Sequence, residues 1–283
     1  MEIVRGRMAM LSSKGMVGYA PGYRVSGGVA TAERCVTAFV GSKQSKGTLA
    51  KRGLKALPRT IGHQGRTMRV DVVALGRLKR QASGGDSIGS SQAGETRRGT
   101  IGISAVDRDS GAAIAITAMH VTGLSEFDGV GPGVPMHVPS RADDPSAQVF
   151  GDLAVGSMTG IDAARIEPRP GNRLDAGIIE IGGVSGWRPV VFPADVGTPV
   201  RMFGAQSGHV LGTIRHPIAT IPEESLDAAI LTDIDTDEGD SGAALVDPQG
   251  FVLGFLVGQF QSSGLSAFCA AGLVLERLSC DIP

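Results

Sequence analysis

Three short segments carry residues able to do nucleophilic chemistry together. They are Ala115-Ile116-Thr117-Ala118-Met119-His120-Val121, Leu174-Asp175-Ala176-Gly177-Ile178-Ile179-Glu180-Ile181 and Asp237-Glu238-Gly239-Asp240-Ser241-Gly242-Ala243-Ala244-Leu245. A serine hydroxyl is a weak nucleophile until a base takes its proton, and imidazole does this near neutral pH. A carboxylate on the other ring nitrogen then fixes the tautomer. His120, Asp175 and Ser241 supply one of each, so the expected chemistry is acyl transfer. Asp162 and Asp152 are the alternative carboxylates. Gly239 and Gly242 flank Ser241 and permit a tight turn, in which the amides of Gly239 and Ser241 form an oxyanion hole.

These side chains need rigid carriers. An apolar run ends at the small Ala118 just before His120, and a second begins just after Asp175. Strands are expected over Thr100–Val106, Ala112–Ala118, Ala176–Ile181, Val200–Phe203, Ala228–Thr232, Ala243–Val246 and Val252–Gly258, with a terminal helix over Gly272–Leu278. Short runs cut by Gly, Asp and Pro, and 42 glycines in 283 residues, predict a mainly β protein with many tight turns.

Ahead of this body, Arg34–Val40 and Met68–Val73 read as strands and the region around Leu54 as a short helix. The division expected is a small basic α+β module at 1–76, a Gly/Ser-rich linker at 77–98 and a catalytic domain at 99–283. Charge follows the same division. Residues 1–100 hold 18 basic and 5 acidic side chains, the remainder 9 and 23, and no lysine follows Lys79. Such halves attract, so the basic module is expected to dock on the acidic domain as an inhibitor or a processing site. Arg80 and Arg97-Arg98 are the candidate self-cleavage points. Nucleic-acid binding by the basic half is the rival, but no motif accompanies it and aromatics are only 4% of the chain.

Other chemistries are disfavoured. Cys35, Cys269 and Cys280 are odd in number and widely spaced, which argues for reduced thiols and a cytoplasmic location. No apolar run approaches a membrane span or a leader core. His63, His137, His209 and His216 lack ligand spacing and read as surface or turn residues, so neither metal nor cofactor is expected. Gly85-Asp86-Ser87-Ile88-Gly89 matches a nucleophile elbow, but its setting lacks the helix that motif requires.

In the order His, Asp, Ser, the blocks ITAMH, LDAGIIEI and EGDSGAALVD resemble the signature blocks of trypsin/chymotrypsin-like serine peptidases. The resemblance covers about residues 99–278. With GYRVSGGVATAERCVTAFV and RTMRVDVVALG ahead, the chain is similar to bacterial intracellular members with an N-terminal extension. The resemblance implies a chymotrypsin-like double β-barrel, an acyl-enzyme on Ser241 and protein or peptide substrates. It places Asp235 at the floor of the primary pocket, where a carboxylate selects Arg or Lys, and Val257, Gly258 and Gln259 on the pocket wall. It departs from the family at Ala243-Ala244, where Gly-Pro is usual, and at Val121, where Cys is usual. In zymogen-activated members a freed N-terminus pairs with the residue at Asp240, but Arg98-Gly99 stands too close to His120 for that. A latent binding module and an esterase with the same triad are the rival functions.

Overall fold

In the computed structural model, residues 16–283 are described, apart from 28, 41–42, 55, 64–65, 75–80, 93–94, 125–128 and 131–132. The chain divides into two units, 1–78 and 79–283.

The first unit is a four-stranded sheet: β1 (Met16–Ser26), β2 (Val29–Val40), β3 (Thr60–His63) and β4 (Arg66–Ala74), in the order β1-β2-β4-β3. β2 and β4 run parallel, Val36 opposite Val70, so a crossover is needed. It contains α1 (Lys46–Lys51), whose Ser45 caps the first turn by accepting from the Thr48 amide. Val36 and Ala38 on one face of β2 pack with Leu57, Ile61 and Val70. This unit matches the α+β module expected.

The second unit is mainly β. Its first half holds β5 (Gln81–Gly84), β6 (Ser87–Gln92), β7 (Glu95–Thr96), β8 (Gly99–Thr100), β9 (Ile103–Asp107), β10 (Ala113–Thr117), β11 (Gly129–Val130), β12 (Pro135–His137), β13 (Val149–Ser157), β14 (Ala163–Pro168), β15 (Arg173–Ile178) and β16 (Gly182–Gly183). Its second half is a closed barrel of β17 (Pro199–Gly204), β18 (Gly208–Ile221), β19 (Leu226–Thr232), β20 (Ala244–Val246), β21 (Val252–Phe260) and β22 (Leu265–Ala270), in the order 17-18-19-22-21-20. Helix α2 (Ala271–Arg277) follows, and β23 (Cys280–Asp281) returns to pair with β9. Each half has its own core, around Phe150 and Met136 in one and Phe268 and Leu256 in the other. A third cluster joins Ile103 and Ile116 of the first half to Val246, Phe255 and α2 of the second. Removing these apolar faces from water welds the halves along a seam.

The expected linker is built otherwise. Within 77–98, β6 pairs with β8 and β12, and β5 runs parallel to β15. Its glycines serve close approach: a Cβ at Gly89 would stand 1.8 Å from the Arg97 carbonyl oxygen. A Gly/Ser composition reads the same whether the backbone is loose or tightly packed, so composition misassigned it. Ser87 sits on β6, where its hydroxyl accepts from the Ser140 amide, and is no nucleophile elbow. Arg80 lies outside the described residues.

Candidate active site

Strand register brings base and carboxylate together. β10 and β14 are antiparallel with Thr117 opposite Ala164, which puts Met119 and His120, just beyond β10, across from Asp162, just before β14. Asp162 Oδ1 accepts the amides of Met119 (2.7 Å) and His120 (3.1 Å), and Oδ2 lies 2.5 Å from His120 Nδ1. The carboxylate is buried, 4% exposed. Its own amide donates to Cys269 Sγ at 3.2 Å. Burial alone pushes the His120 imidazole down, the hydrogen bond and charge of Asp162 push it up, and the charge of Arg97 opposes them. The balance lies above the ordinary value of 6.5.

Asp175, expected to hold His120, does not. It lies on β15 beside β5, where Oδ2 accepts from Ser83 Oγ at 3.3 Å, and its charge adds to the burial that raises Asp86. The sequence signal for Asp162 is the short Ala163-Ala164-Arg165-Ile166 run directly after it, buried except at Arg165. That run is weaker to the eye than the apolar stretch after Asp175. Asp152, on β13, pairs instead with Arg169.

Ser241 stands on the turn between Asp237 and Ala244, and this turn is fastened from both halves. Thr100, fully buried, donates its amide to the Ser241 carbonyl (2.8 Å) and its hydroxyl to the Gly239 carbonyl (2.9 Å), and accepts from the Ala205 amide (2.9 Å). Gly242, at φ +98°, comes so close to the first half that a Cβ would meet the Thr100 carbonyl oxygen at 2.4 Å. Asp240 is wholly buried. Its Oδ1 accepts the amides of Gln206 and Ser207, both 2.9 Å, and its Oδ2 the Asp237 amide (2.9 Å) and the Ser207 hydroxyl (2.5 Å). Four donors fill this carboxylate. Thr100, Ser207 and Cys269 had no sequence motif to single them out in these roles.

His120 and Ser241 open onto one cleft of about 650 Å³, which Arg97, Arg98, Glu238 and Gly239 also line. Among the described residues no hydrogen bond joins the two. The Ser241 hydroxyl donates to the Val257 carbonyl at 3.1 Å. The amides of Gly239 and Ser241 have no partner among the described residues. Arg98 reaches over the cleft, its guanidinium bound to Asp143, Gln206 and the Ala205 carbonyl. The Arg98-Gly99 bond, one expected self-cleavage point, runs into β8 and the Ser241 turn, and is held in the fold.

A second cavity, about 330 Å³, lies on the other side of His120 and takes in Val257, Gly258 and Gln259. Asp235 lines neither cavity. It is exposed and accepts from Gln259 Nε2 at 3.2 Å. His137, expected at the surface, is buried on β12. Among the described residues there is no cluster of three or more His, Cys, Asp or Glu fit for a metal, and no helix long and apolar enough to cross a membrane.

No protein-family model matches the sequence, and a search of curated proteins finds no match. Solved structures do match. A Nocardiopsis protease, NAPase, shares 19% identity over 71% of this chain and 98% of its own, with a TM-score of 0.54. Protease A of Thermobifida fusca shares 18% over 71% and 97%, TM-score 0.54, and a chymotrypsin of Cellulomonas bogoriensis 23% over 72% and 98%, TM-score 0.51. At such identities the likeness is one of fold. The chain therefore carries the chymotrypsin-like double β-barrel of bacterial serine proteases.

Proposed function

We propose that residues 79–283 form a serine endopeptidase acting through His120, Asp162 and Ser241. The observation that carries this is the clamp of Asp162 on His120 and the adjoining Met119 amide, with the clamped ring and the serine lining one cleft beside two amides that have no partner among the described residues. Ser241 Oγ turns from Val257 to His120 Nε2, gives up its proton and attacks the scissile carbonyl. The new C–O bond sends the carbonyl electron pair onto oxygen, which the Gly239 and Ser241 amides receive. Collapse breaks the C–N bond, and the leaving amine takes the proton from His120. Water, deprotonated by the same ring, then hydrolyses the acyl-enzyme. No cofactor enters.

Ser241→Ala is expected to lower kcat on a peptide substrate by about 10³–10⁶. Retention of near-parental turnover would refute the assignment. One observation favours a second reading, a latent binding module: the Ser241 hydroxyl is turned to Val257. A fluorophosphonate probe separates them, since labelling at Ser241 requires an activated hydroxyl. Comparing ester with peptide substrates separates an esterase.

We extend the proposal to Arg or Lys before the scissile bond, recognised at Asp235, which lines neither cavity but stands exposed at the end of the Gln259 side chain. Asp235→Asn should lose that preference in a cleavage profile. The basic first unit is read as docking on the acidic second. The location is read as cytoplasmic, which three unpaired, buried thiols support.

A further inference from the structure

We propose that Glu224 makes the cavity beside His120 a second specificity site, one that takes a lysine or arginine side chain of the substrate upstream of the residue at the scissile bond. This rests on the peptidase reading. The cavity walls are apolar, formed by Met158, Leu226, Val257, Phe260 and Ala267. They suit the methylene stem of a long side chain better than a short polar one. The polar residues lining the space are His120, Asp162, Gln259 and Glu224, and of its two carboxylates only Asp162 is engaged. Asp162 is filled by Met119 and His120, the His120 ring is bonded through Nδ1, and the Gln259 amide donates to Asp235 and to the Gly264 carbonyl. The Glu224 carboxylate has no hydrogen bond or ion pair among the described residues. Among the described residues lining the cavity it is the one carboxylate left to receive a cationic tip. An acidic substrate side chain would meet Glu224 and Asp162, both of its own sign.

The backbone around Glu224 holds it there. Glu224 ends a turn of 3-10 helix, Pro222–Glu224, closed by the Ser225 amide on the Pro222 carbonyl (3.1 Å). Ser225 and Ala228 both take left-handed φ, +53° and +48°, a conformation that is unfavourable for a residue with a Cβ. The Asp227 amide donates to the Gly160 carbonyl at 2.9 Å, which ties this turn to the one preceding Asp162. Strain of this kind persists where the surroundings over-determine it, as at ligand clamps.

The strand edge explains why an upstream residue enters. β21 pairs with β20 only over Val252–Phe255 and with β22 as far as Phe260. Among the described residues no strand pairs with that edge of β21 from Val257 onward, which leaves it open to an extended chain. A peptide whose carbonyl sits on the Gly239 and Ser241 amides continues along that edge into the cavity.

The test is a positional-scanning peptide library cut by the parent, Glu224→Gln and Glu224→Lys. Expected is a parental preference for Lys and Arg at a position upstream of the residue at the bond. That preference should fall about three- to tenfold in Glu224→Gln, as for an exposed ion pair, and reverse toward Asp and Glu in Glu224→Lys. Cleavage with the same preferences in all three overturns the site and leaves the peptidase reading intact. Absence of cleavage by the parent overturns that reading instead. Calorimetric binding of lysine- and norleucine-containing peptides to Ser241→Ala, with and without Glu224→Gln, then decides the cavity alone. Equal affinities throughout overturn it; a lysine advantage that disappears with Glu224→Gln upholds it.

Discussion

At the scale of residues, the proposed mechanism turns on the carboxylate at the imidazole. Asp162→Asn keeps the shape of its side chain but presents one acceptor where two are used, and it leaves the ring free to adopt the wrong tautomer. On the proposed mechanism kcat should fall by on the order of 10³–10⁴, while Asp175→Asn, which touches Ser83, should stay within a few-fold. Parallel kinetics on the two variants check this, and the reverse ranking would restore Asp175. The raised pKa of His120 has two further consequences. The base must be neutral to act, so the acid limb of kcat/KM should lie above pH 6.5 and move down in Asp162→Asn. For stability, the folded state binds the proton more tightly than the unfolded one. The imidazolium–Asp162 pair therefore contributes fully below pH 6.5, and its contribution fades as pH rises through the raised value. The Tm difference between parent and His120→Ala should thus be largest in acid and shrink toward alkaline pH. A difference growing with pH would show the sign to be wrong.

At the scale of elements, close packing replaces flexibility where glycine and serine dominate. Adding a methyl at Gly89 drives it into the Arg97 carbonyl, which only backbone movement relieves. Gly89→Ala is expected to cost about 3 kcal/mol, seen as a Tm drop of roughly 6–12 °C for a unit of this size. An unchanged Tm would mean that β6 is a tether after all. The same segment shows what sequence could and could not disclose. β9, β10, β20 and β21 alternate or run apolar and were legible, as were the Ser241 turn with its two glycines and the His120 strand. β5 and β6 were not, because Gln81–Gly84 and Ser87–Gln92 carry few apolar side chains and are defined by what they pack against. Asp162 was seen only as an alternative, since the register that faces it to Met119 is a long-range fact. Glu224 had no motif at all. Its place depends on a turn whose non-glycine residues adopt left-handed φ, which no local preference foretells.

At the scale of the molecule, charge is divided nearly along the unit boundary. If the basic first unit lies on the acidic second, salt should weaken the contact, since exposed charges are screened within about 8 Å at physiological ionic strength. Raising sodium chloride from 0.05 to about 0.5 M should therefore increase kcat/KM of the intact chain on a small uncharged peptide. Activity indifferent to salt would remove the docking idea and leave the barrel chemistry untouched.

The hydrogen bonding at Asp240 has a corollary. Its negative charge is already quenched by the backbone of residues 206, 207 and 237 and by one hydroxyl, so no ammonium group has to be released elsewhere to settle it. On the peptidase reading, cutting the chain to free an amine is then no step in forming the Ser241 turn.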